Sequence, residues 1–342
     1  MVHDDLVRVA SSSSRSSAPT ASAALALLSM AGSSSTPGRG GLPRVVATHA
    51  ASGATLEVYL HGAHVTSFAC RGSELLFVSS RAAFDGVGPI RGGIPLAFPQ
   101  FAAQGPLPMH GFARTSAWTL EAAADGLVEL SLADSAATRA AWPHAFAARL
   151  RLTFAGAALR VELRVENAAG AAAPLPFEAL QHAYIALGAG AVAAGGAVQV
   201  EGLEAALYRD KTRGGADFTD APGALPLRGD ETDRVFVAPP AREVVLRGVR
   251  GAPHTAVRVA FGARVLDAGG ADDAAGAAAA PVDVVVWNPG PTRNAAIADL
   301  DADAWTRFAC IEPGRVSRET ALPAGGLPPG KAFVLDVTYT ME

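Results

Sequence analysis

The sequence predicts an all-β protein: a large antiparallel two-sheet sandwich with few, short helices. Three observations favour this class, namely strands of alternating polarity, turn residues between short apolar runs, and almost no long helical periodicity. Alternation with a period of two places one set of side chains on a core and the other in water. Many short strands separated by glycine, proline and Asn/Asp clusters are typical of sandwiches and barrels.

The clearest strand covers residues 159–167, where Leu, Val, Leu and Val alternate with Arg, Glu, Arg and Glu. Residues 333–339 alternate in the same way. Short helices are expected over residues 135–141 and 302–307, the second with Asp301 or Asp303 as its N-cap. Residues 267–281 are expected to form a low-complexity surface loop. Further strands are predicted at 44–50, 54–60, 74–79, 126–132, 147–154, 243–249, 256–262 and 282–287.

Residues 1–42 differ in composition from the rest of the chain. They are rich in serine and lack sustained periodicity, which is typical of a disordered tail. Richness in serine and arginine also fits an organelle transit peptide, although Asp4 and Asp5 count against one. Both alternatives stay open, so the expected location is the cytoplasm or a plastid. Residues 43–342 show no linker or repeat and are expected to form one domain.

Composition argues against several classes of function. The net charge is −4 and no basic block is present, so nucleic-acid binding has little support. No apolar run approaches the ~20 residues of a membrane-spanning helix. Cys70 and Cys310 lie in apolar runs and are expected to be buried thiols in a reducing compartment. No metal-ligand spacing is present, and we expect no cofactor.

Residues 90–118 do not follow a strand pattern. They contain Arg91, His110 and Arg114 among glycine, phenylalanine and four prolines, and the prolines exclude a regular central strand. A long, apolar and rigid loop of this kind indicates a pocket wall. The alternative is a structural loop whose arginines are tied to carboxylates elsewhere.

Two further polar residues interrupt apolar runs. His182 lies within residues 177–187, where a hydrogen-bonded core histidine is the more common alternative to a catalyst. Glu312 ends an apolar strand just before Pro-Gly. A carboxylate beside a core is a candidate for a raised pKa, and the alternative is a solvated turn residue.

The order of these motifs resembles that of the glucose-6-phosphate 1-epimerases, or hexose-6-phosphate mutarotases, of the aldose 1-epimerase superfamily. The matching segments extend over residues 43–342. They are RGGIPLAFPQF (91–101), LPMHGFAR (107–114), Trp118, LQHAY (180–184), GLEAALYRDK (202–211), ETDRVF (231–236), VVWNP (285–289) and CIE (310–312).

The resemblance implies a galactose mutarotase-like β-supersandwich with His182 and Glu312 as catalytic residues. It also implies substrate-binding roles for Arg91, Met109, Arg114 and Asp233. The chain departs from the family pattern at three positions: Met109 replaces a glutamine, Ala183 a threonine and Gly290 a tryptophan. The departures remove no acid or base, but they could alter affinity or substrate choice.

The implied reaction interconverts the α and β anomers of glucose 6-phosphate by ring opening and reclosure. A carboxylate suits the base that takes the O1 proton, and a protonated imidazole suits the acid that protonates the ring oxygen. We therefore expect Glu312 as base and His182 as acid. His110 is a third candidate, which would hydrogen-bond a ring oxygen or O1.

Arg91 and Arg114 match a phosphate group, because guanidinium forks bind its oxygens bidentately and stay charged. Asp233 is expected to orient one of these arginines or to bind a sugar hydroxyl. The expected partner is a small hexose phosphate, with no nucleic acid or membrane partner, and the expected state is a monomer. Two alternatives remain: an epimerase of free sugars, and a non-catalytic carbohydrate-binding or assembly subunit on the same fold.

Overall fold

The computed structural model describes residues 34–193, 195, 197–219, 223–249, 254–270, 277–322 and 325–342. Most of the predicted tail, residues 1–33, lies outside the described residues. The remaining tail residues include a two-residue strand and a 3₁₀ turn, so regular structure is present before residue 43. All the strands of the described residues belong to one unit, Ser33–Glu342.

The described strands form three sheets with antiparallel pairing. The first sheet contains β1 (Thr36–Pro37), β2 (Pro43–His49), β3 (Ala54–Tyr59), β4 (His64–Cys70) and β5 (Ser73–Glu74), in this order.

The second and largest sheet has ten strands. Its spatial order is β16 (Leu225–Leu227), β13 (Val198–Glu201), β18 (Glu243–Arg247), β19 (Ala256–Asp267), β23 (Lys331–Met341), β10 (Ala158–Glu166), β9 (Ala147–Ala155), β8 (Leu127–Ala133) and β7 (Thr119–Ala124), and β20 (Ala278–Ala280) pairs with β19.

The third sheet has eight strands and is called the site sheet below. Its order is β15 (Ala216–Phe218), β14 (Tyr208–Asp210), β17 (Thr232–Phe236), β21 (Asp283–Asn288), β22 (Phe308–Arg315), β11 (Ala179–Gln181) and β6 (Leu96–Ala97), and β12 (Ala183–Ala186) pairs with β22.

Two short helices complete the regular structure of the described residues. Helix α1 (Ala136–Ala141) begins with a capping box formed by Ser135 and Thr138, which confirms the helix predicted there. Helix α2 (Gly290–Ala295) was not predicted. Neither helix in the described part of the chain has the length or hydropathy to span a lipid bilayer. The 3₁₀ turns are Arg39–Gly41, Ala113–Thr115, Lys211–Arg213, Ala304–Thr306 and Arg318–Thr320.

The main core lies between the second sheet and the site sheet. Val161 and Leu335 from the second sheet belong to the same apolar cluster as Ile311 and Val284 from the site sheet, and all four are buried. Each such side chain contributes about 1.5–3 kcal/mol by leaving water. Residues 159–167 and 333–339 pair side by side as β10 and β23, and the Leu and Val set of β10 is buried as predicted. The other set of β10 is not all in water, because Glu162 and Arg164 are only 4% and 7% exposed and pair with Arg264 and Glu166.

Most other predicted strands are present, but residues 74–79 are not a continuous strand. Strand β5 ends at Glu74, and only isolated bridges follow at Leu76 and Val78. The Glu74 carboxylate accepts hydrogen bonds from the backbone N–H groups of Phe68 and Leu76, at 3.0 and 2.9 Å. The side chain thus replaces part of the backbone ladder, and this segment stays irregular.

Two other predictions were wrong in detail. Residues 302–307 form only a 3₁₀ turn with Asp303 at its N-cap, because the Asn294 side chain bonds the backbone of Asp301, Ala302 and Trp305. Within the predicted loop 267–281, residues 271–276 lie outside the described residues, and the end of the segment is strand β20. Cys70 and Cys310 are buried free thiols, as predicted.

A buried histidine, His64, holds the start of the 90–118 loop through one hydrogen bond. Its Nε2 donates a hydrogen bond to the carbonyl of Gly92 at 2.7 Å. The backbone at Gly92 and Gly93 has φ of 109° and 63°, and a Cβ on Gly93 would lie 2.2 Å from the Val65 carbonyl oxygen. The double glycine is therefore required sterically, and it fixes the position of Arg91.

Burial lowers the pKa of His64 to about 3 from an ordinary value of 6.5. The folded state therefore keeps His64 neutral over a range in which the unfolded state binds a proton, so stability falls as the pH drops below about 6.5. We expect His64 to account for a loss of about 2 kcal/mol in unfolding free energy between pH 7 and pH 5. Urea unfolding at both pH values should show a smaller pH-dependent loss in a His64→Gln variant. An equal loss in both proteins would contradict the assignment.

Candidate active site

Glu312 and His182 face each other across neighbouring strands. Strand β22 pairs with β12 through Ile311 and Ala183, and with β11 through Gly314 and Leu180. The register is the same on both sides of the break between β11 and β12, which places His182 opposite Glu312. The Nδ1 of His182 lies 3.3 Å from the Oε1 of Glu312.

Because side chains alternate along a strand, Glu312 and His182 lie on the face of the site sheet that is opposite the main core. In β22, Ala309 and Ile311 point into the main core, so Cys310 and Glu312 lie on the opposite face. The prediction that Glu312 ends its strand was wrong, because β22 continues to Arg315 and Glu312 is only 1% exposed. It is a buried carboxylate rather than a solvated turn residue.

A cavity of about 300 Å³ lies on this outer face of the site sheet. It brings together six predicted site residues: Arg91, Met109, His110, His182, Asp233 and Glu312. The full lining consists of Arg91, Phe101, Ala102, Met109, His110, His182, Tyr184, Lys211, Glu231, Asp233, Val285, Trp287, Arg293, Ile297 and Glu312.

Arg114 is the one predicted site residue that does not line the cavity. Its Nη2 donates to the carbonyl of Met109 at 2.6 Å, which ties the guanidinium to the backbone of a residue that lines the cavity. Burial lowers the pKa of Arg114 to about 10, and the charge of Arg91 acts in the same direction. Met109 itself is 52% exposed at the rim.

Aromatic rings hold the His182 imidazole in place. The Tyr184 ring stacks on it at 4.9 Å with an interplanar angle of 8°, and Trp287 meets it edge-on at 5.9 Å. The neighbouring Gln181 anchors the strand, because its Nε2 donates to the Val161 carbonyl of the second sheet at 2.9 Å. The ring therefore has a defined orientation before any ligand arrives.

Arg91 is fixed by two partners. Its Nε donates to Oδ1 of Asp299 at 3.0 Å, and its Nη1 donates to the hydroxyl of Tyr184 at 3.2 Å. The alternative that Arg91 is tied to a carboxylate is thus correct, yet the residue also lines the cavity.

His110 forms the opposite wall. Its backbone adopts a left-handed conformation with φ of 64°, and its ring lies 5.4 Å from the ring of His182 and 5.4 Å from that of Phe101. Burial lowers the pKa of His110 to about 3, and Arg114, Lys211 and Arg91 act in the same direction. Nδ1 of His110 accepts the backbone N–H of Ala102 at 3.4 Å, so a neutral His110 carries its proton on Nε2 and can donate it to a sugar oxygen.

The buried pair has opposite pKa shifts. Burial lowers the pKa of His182 well below its usual value, and His110, Arg114 and Arg91 lower it further. Burial raises the pKa of Glu312 well above its usual value, although Lys211 opposes this effect. Nδ1 of His182 is buried without a hydrogen-bond partner. These two directions favour a protonated Glu312 beside a neutral His182.

Asp233 pairs with Lys211. The expectation that Asp233 orients Arg91 or Arg114 was therefore wrong. The Lys211 Nζ lies 3.4 Å from Oδ1 of Asp233 and 4.7 Å from the centre of the Phe101 ring. Burial raises the pKa of Asp233, and Lys211 opposes the rise. The pair lies on the same wall as Glu312 and can bind sugar hydroxyls.

Sequence reasoning missed Tyr184, Lys211 and Trp287 as site residues. Each lies in a motif that the sequence analysis identified: LQHAY, YRDK or VVWNP. Alternation could have found Tyr184 and Trp287, because they share a face with His182 and Val285. The position of Lys211 depends on the 3₁₀ turn Lys211–Arg213, which no pattern in the sequence indicated.

One group among the described residues could hold a metal ion. His182, Cys310 and Glu312 offer ligand atoms up to 4.8 Å apart. Tetrahedral zinc with N and S ligands at about 2.0–2.3 Å requires ligand atoms about 3.5 Å apart. Burial also raises the pKa of the Cys310 thiol well above its usual value. The trio would have to move and lose protons to bind a metal, so it fits one poorly.

Comparison with known proteins agrees with this fold. The family model for aldose 1-epimerase matches residues 44–327. A Cenchrus ciliaris protein named "Putative glucose-6-phosphate 1-epimerase" is 30% identical over 296 residues, which is 83% of this chain and 82% of the relative. An Escherichia coli K12 protein of the same name is 30% identical over 269 residues, 75% of this chain and 79% of the relative.

The structural comparison leads to the same family. The crystal structure of a "putative mutarotase" from Salmonella typhimurium has a TM-score of 0.66 and 25% identity, covering 88% of this chain and 91% of that one. The predicted mutarotase-like sandwich is therefore confirmed. The chain belongs to the aldose 1-epimerase family of carbohydrate isomerases, as the order of its sequence motifs predicts.

Proposed function

We propose that this protein interconverts the α and β anomers of glucose 6-phosphate. The observation that carries the proposal is the 3.3 Å approach of Nδ1 of His182 to Oε1 of Glu312 in a cavity. The O1 hydroxyl and the ring oxygen are bonded to the same sugar carbon, so an acid and a base acting on them must lie close together. The names of the two relatives support glucose 6-phosphate as the sugar.

In the proposed mechanism Glu312 takes the O1 proton while His182 protonates the ring oxygen. The bond between C1 and the ring oxygen breaks, and the aldehyde rotates. The hydroxyl on C5 then attacks the other face of the aldehyde. The two side chains exchange roles in reclosure, which returns both to their starting states.

These roles require a proton to move from Glu312 to His182 when the substrate binds. Arg91 and Arg114 are two of the charges that lower the pKa of His182. A phosphate dianion beside them would offset their charge and favour a charged imidazole. Without such a change, the lowered pKa of His182 and the raised pKa of Glu312 suit the reverse assignment, with Glu312 as acid and His182 as base.

Two features support a phosphorylated substrate. Asp299 and Tyr184 use Nε and Nη1 of Arg91, which leaves Nη2 for a ligand. Arg114 has no carboxylate within salt-bridge distance among the residues that the structure describes, and its one hydrogen bond there is to Met109. Arg293 also lines the cavity, so three guanidinium groups lie in or next to it, and they match phosphate better than a neutral sugar.

The remaining proposals concern binding, location and assembly. A neutral His110 would bond a sugar oxygen, Asp233 with Lys211 would bond hydroxyl groups, and Met109 would contact the sugar at the rim. Two buried free thiols support a reducing compartment, and we propose the cytoplasm or a plastid. We further propose that the protein acts as a monomer without nucleic-acid or membrane partners. The two alternatives are an epimerase of free sugars and a non-catalytic subunit.

Removing either proton-transfer group should slow anomer exchange strongly. We expect Glu312→Gln and His182→Asn each to lower the rate by about 10²–10⁴-fold, measured by saturation-transfer NMR of α and β glucose 6-phosphate. Glu129→Gln, on the second sheet, is the matched control and should exchange at the wild-type rate. Wild-type exchange in either site variant would disprove the acid–base pair. Absence of exchange by the wild-type protein would favour the non-catalytic subunit.

The arginines should discriminate between phosphorylated and free sugar. We expect Arg91→Ala and Arg114→Ala each to raise KM for glucose 6-phosphate by about 10–100-fold, the value of a hydrogen bond to a charged group. The KM for free glucose should change much less, as measured in the same NMR assay. Equal effects on both sugars would favour the free-sugar epimerase.

The protonation state of the pair can be observed directly. In the empty protein at pH 7, nitrogen-15 NMR should show a neutral His182 and infrared spectroscopy a protonated carboxyl that is absent in Glu312→Gln. Because a phosphate offsets the charge of Arg91 and Arg114, 1,5-anhydroglucitol 6-phosphate, which cannot open, should shift His182 toward the charged form. A His182 that stays neutral in this complex would reverse the roles of acid and base.

A further inference from the structure

A second and larger cavity lies on the other side of the loop that walls the catalytic cavity. Its volume is about 630 Å³, compared with about 300 Å³ for the catalytic cavity. Gln100 and Leu107 line the second cavity, whereas Phe101 and His110 of the same loop line the first. The two cavities therefore share one wall without sharing a lining residue.

The second cavity contains a buried arginine that lacks an ion pair. Arg315, the last residue of β22, is only 4% exposed, and its guanidinium lies 4.6 Å above the Phe177 ring. One of its five N–H groups donates to the Phe177 carbonyl, and its Nε is buried without a partner. Within the described parts of the chain, no carboxylate oxygen lies within 4.0 Å of this guanidinium. A buried charge in this state is costly unless an anion pairs with it.

Two carboxylates, Glu178 and Asp283, act electrostatically on Arg315, but both already accept hydrogen bonds from other groups. Both oxygens of Asp283 accept hydrogen bonds from the segment 316–320 and from the backbone of Ala238. Glu178 lines the cavity, but its Oε2 accepts the backbone N–H of Phe101 at 2.6 Å. Neither carboxylate can turn to Arg315 without losing these bonds, so its free N–H groups stay available.

The rest of the lining combines apolar surface with further positive charge. Trp142, Phe177 and Leu107 provide flat or apolar walls. Arg318 adds a second guanidinium at the mouth: its side chain is 87% exposed, and its Nε lies 3.8 Å from Oε1 of Glu319. Arg209 also lines the cavity, but Asp217 and Glu319 neutralise it.

We propose that this second cavity binds a small organic oxyanion, in which a phosphate or carboxylate pairs with Arg315 and an attached flat apolar group contacts Trp142 and Phe177. The guanidinium fork matches either oxyanion bidentately. The site does not depend on the proposed reaction, because none of its lining residues also lines the catalytic cavity.

The test is calorimetric titration of the full protein with phenyl phosphate and, separately, with benzoate, which distinguishes the two oxyanions. We expect saturable binding to a site that persists in an Arg91→Met/Arg114→Met variant. Arg315→Met should weaken binding at this site by about tenfold or more. Arg318→Glu, at an exposed position that tolerates substitution, should weaken it by about threefold or more and less so at high salt.

Arg242→Glu is the matched control, because Arg242 is an exposed arginine that lines neither cavity. It should bind like the wild type. The proposal is wrong if neither probe binds at about 10 mM, if Arg318→Glu binds like Arg242→Glu, or if binding disappears in the Arg91→Met/Arg114→Met variant. The Arg318→Glu result decides the question even if Arg315→Met does not fold. Loss of anomer exchange alone would bear on the proposed function and not on this site.

Discussion

The antiparallel register between β22 and its neighbours is the constraint on which the catalytic cavity depends. Directly opposed residues on one face of a sheet lie close enough for their side chains to meet, and here these residues are Glu312 and His182. A shift of β22 by one residue would turn Glu312 into the main core and away from His182. The register is held by the apolar side chains of β22 that pack into that core and by Gln181, which bonds the second sheet beside His182.

Burial of Glu312 and His182 costs little free energy because both side chains are neutral. An isolated buried ion is expensive, whereas a protonated carboxyl beside a neutral imidazole carries no charge. Burial chiefly maintains this state, and the cations Arg114 and Arg91, together with His110, disfavour a charged His182 further. The same cations are the groups that suit a phosphate. A phosphorylated ligand would therefore change the charges of Arg91 and Arg114 that help to keep His182 neutral.

The sequence predicts most of the fold because polarity alternates wherever a strand has one buried face. Residues 159–167 are correctly predicted for this reason, and residues 74–79 are not, because the Glu74 carboxylate replaces ladder hydrogen bonds. The end of the Glu312 strand was misplaced because Pro-Gly usually marks a turn. Here β22 runs through Pro313, and the neighbouring β11 and β12 are interrupted at the same place. Lys211 was missed because its position depends on a turn and a distant ring, neither of which has a local pattern.

Tyr184 joins the two halves of the site. Its hydroxyl accepts a hydrogen bond from Arg91, and its ring stacks on His182. A displacement of Arg91 toward a bound anion would therefore act on the imidazole through one rigid side chain, in addition to the change in electrostatic potential. Arg91 can bind a ligand although it already pairs with Asp299. The ion pair fixes the position of the guanidinium, and its Nη2 remains free for a ligand. Rigid placement of the anion-binding group and the acid relative to each other is what a ring-opening reaction requires, because both must contact one small sugar at the same time.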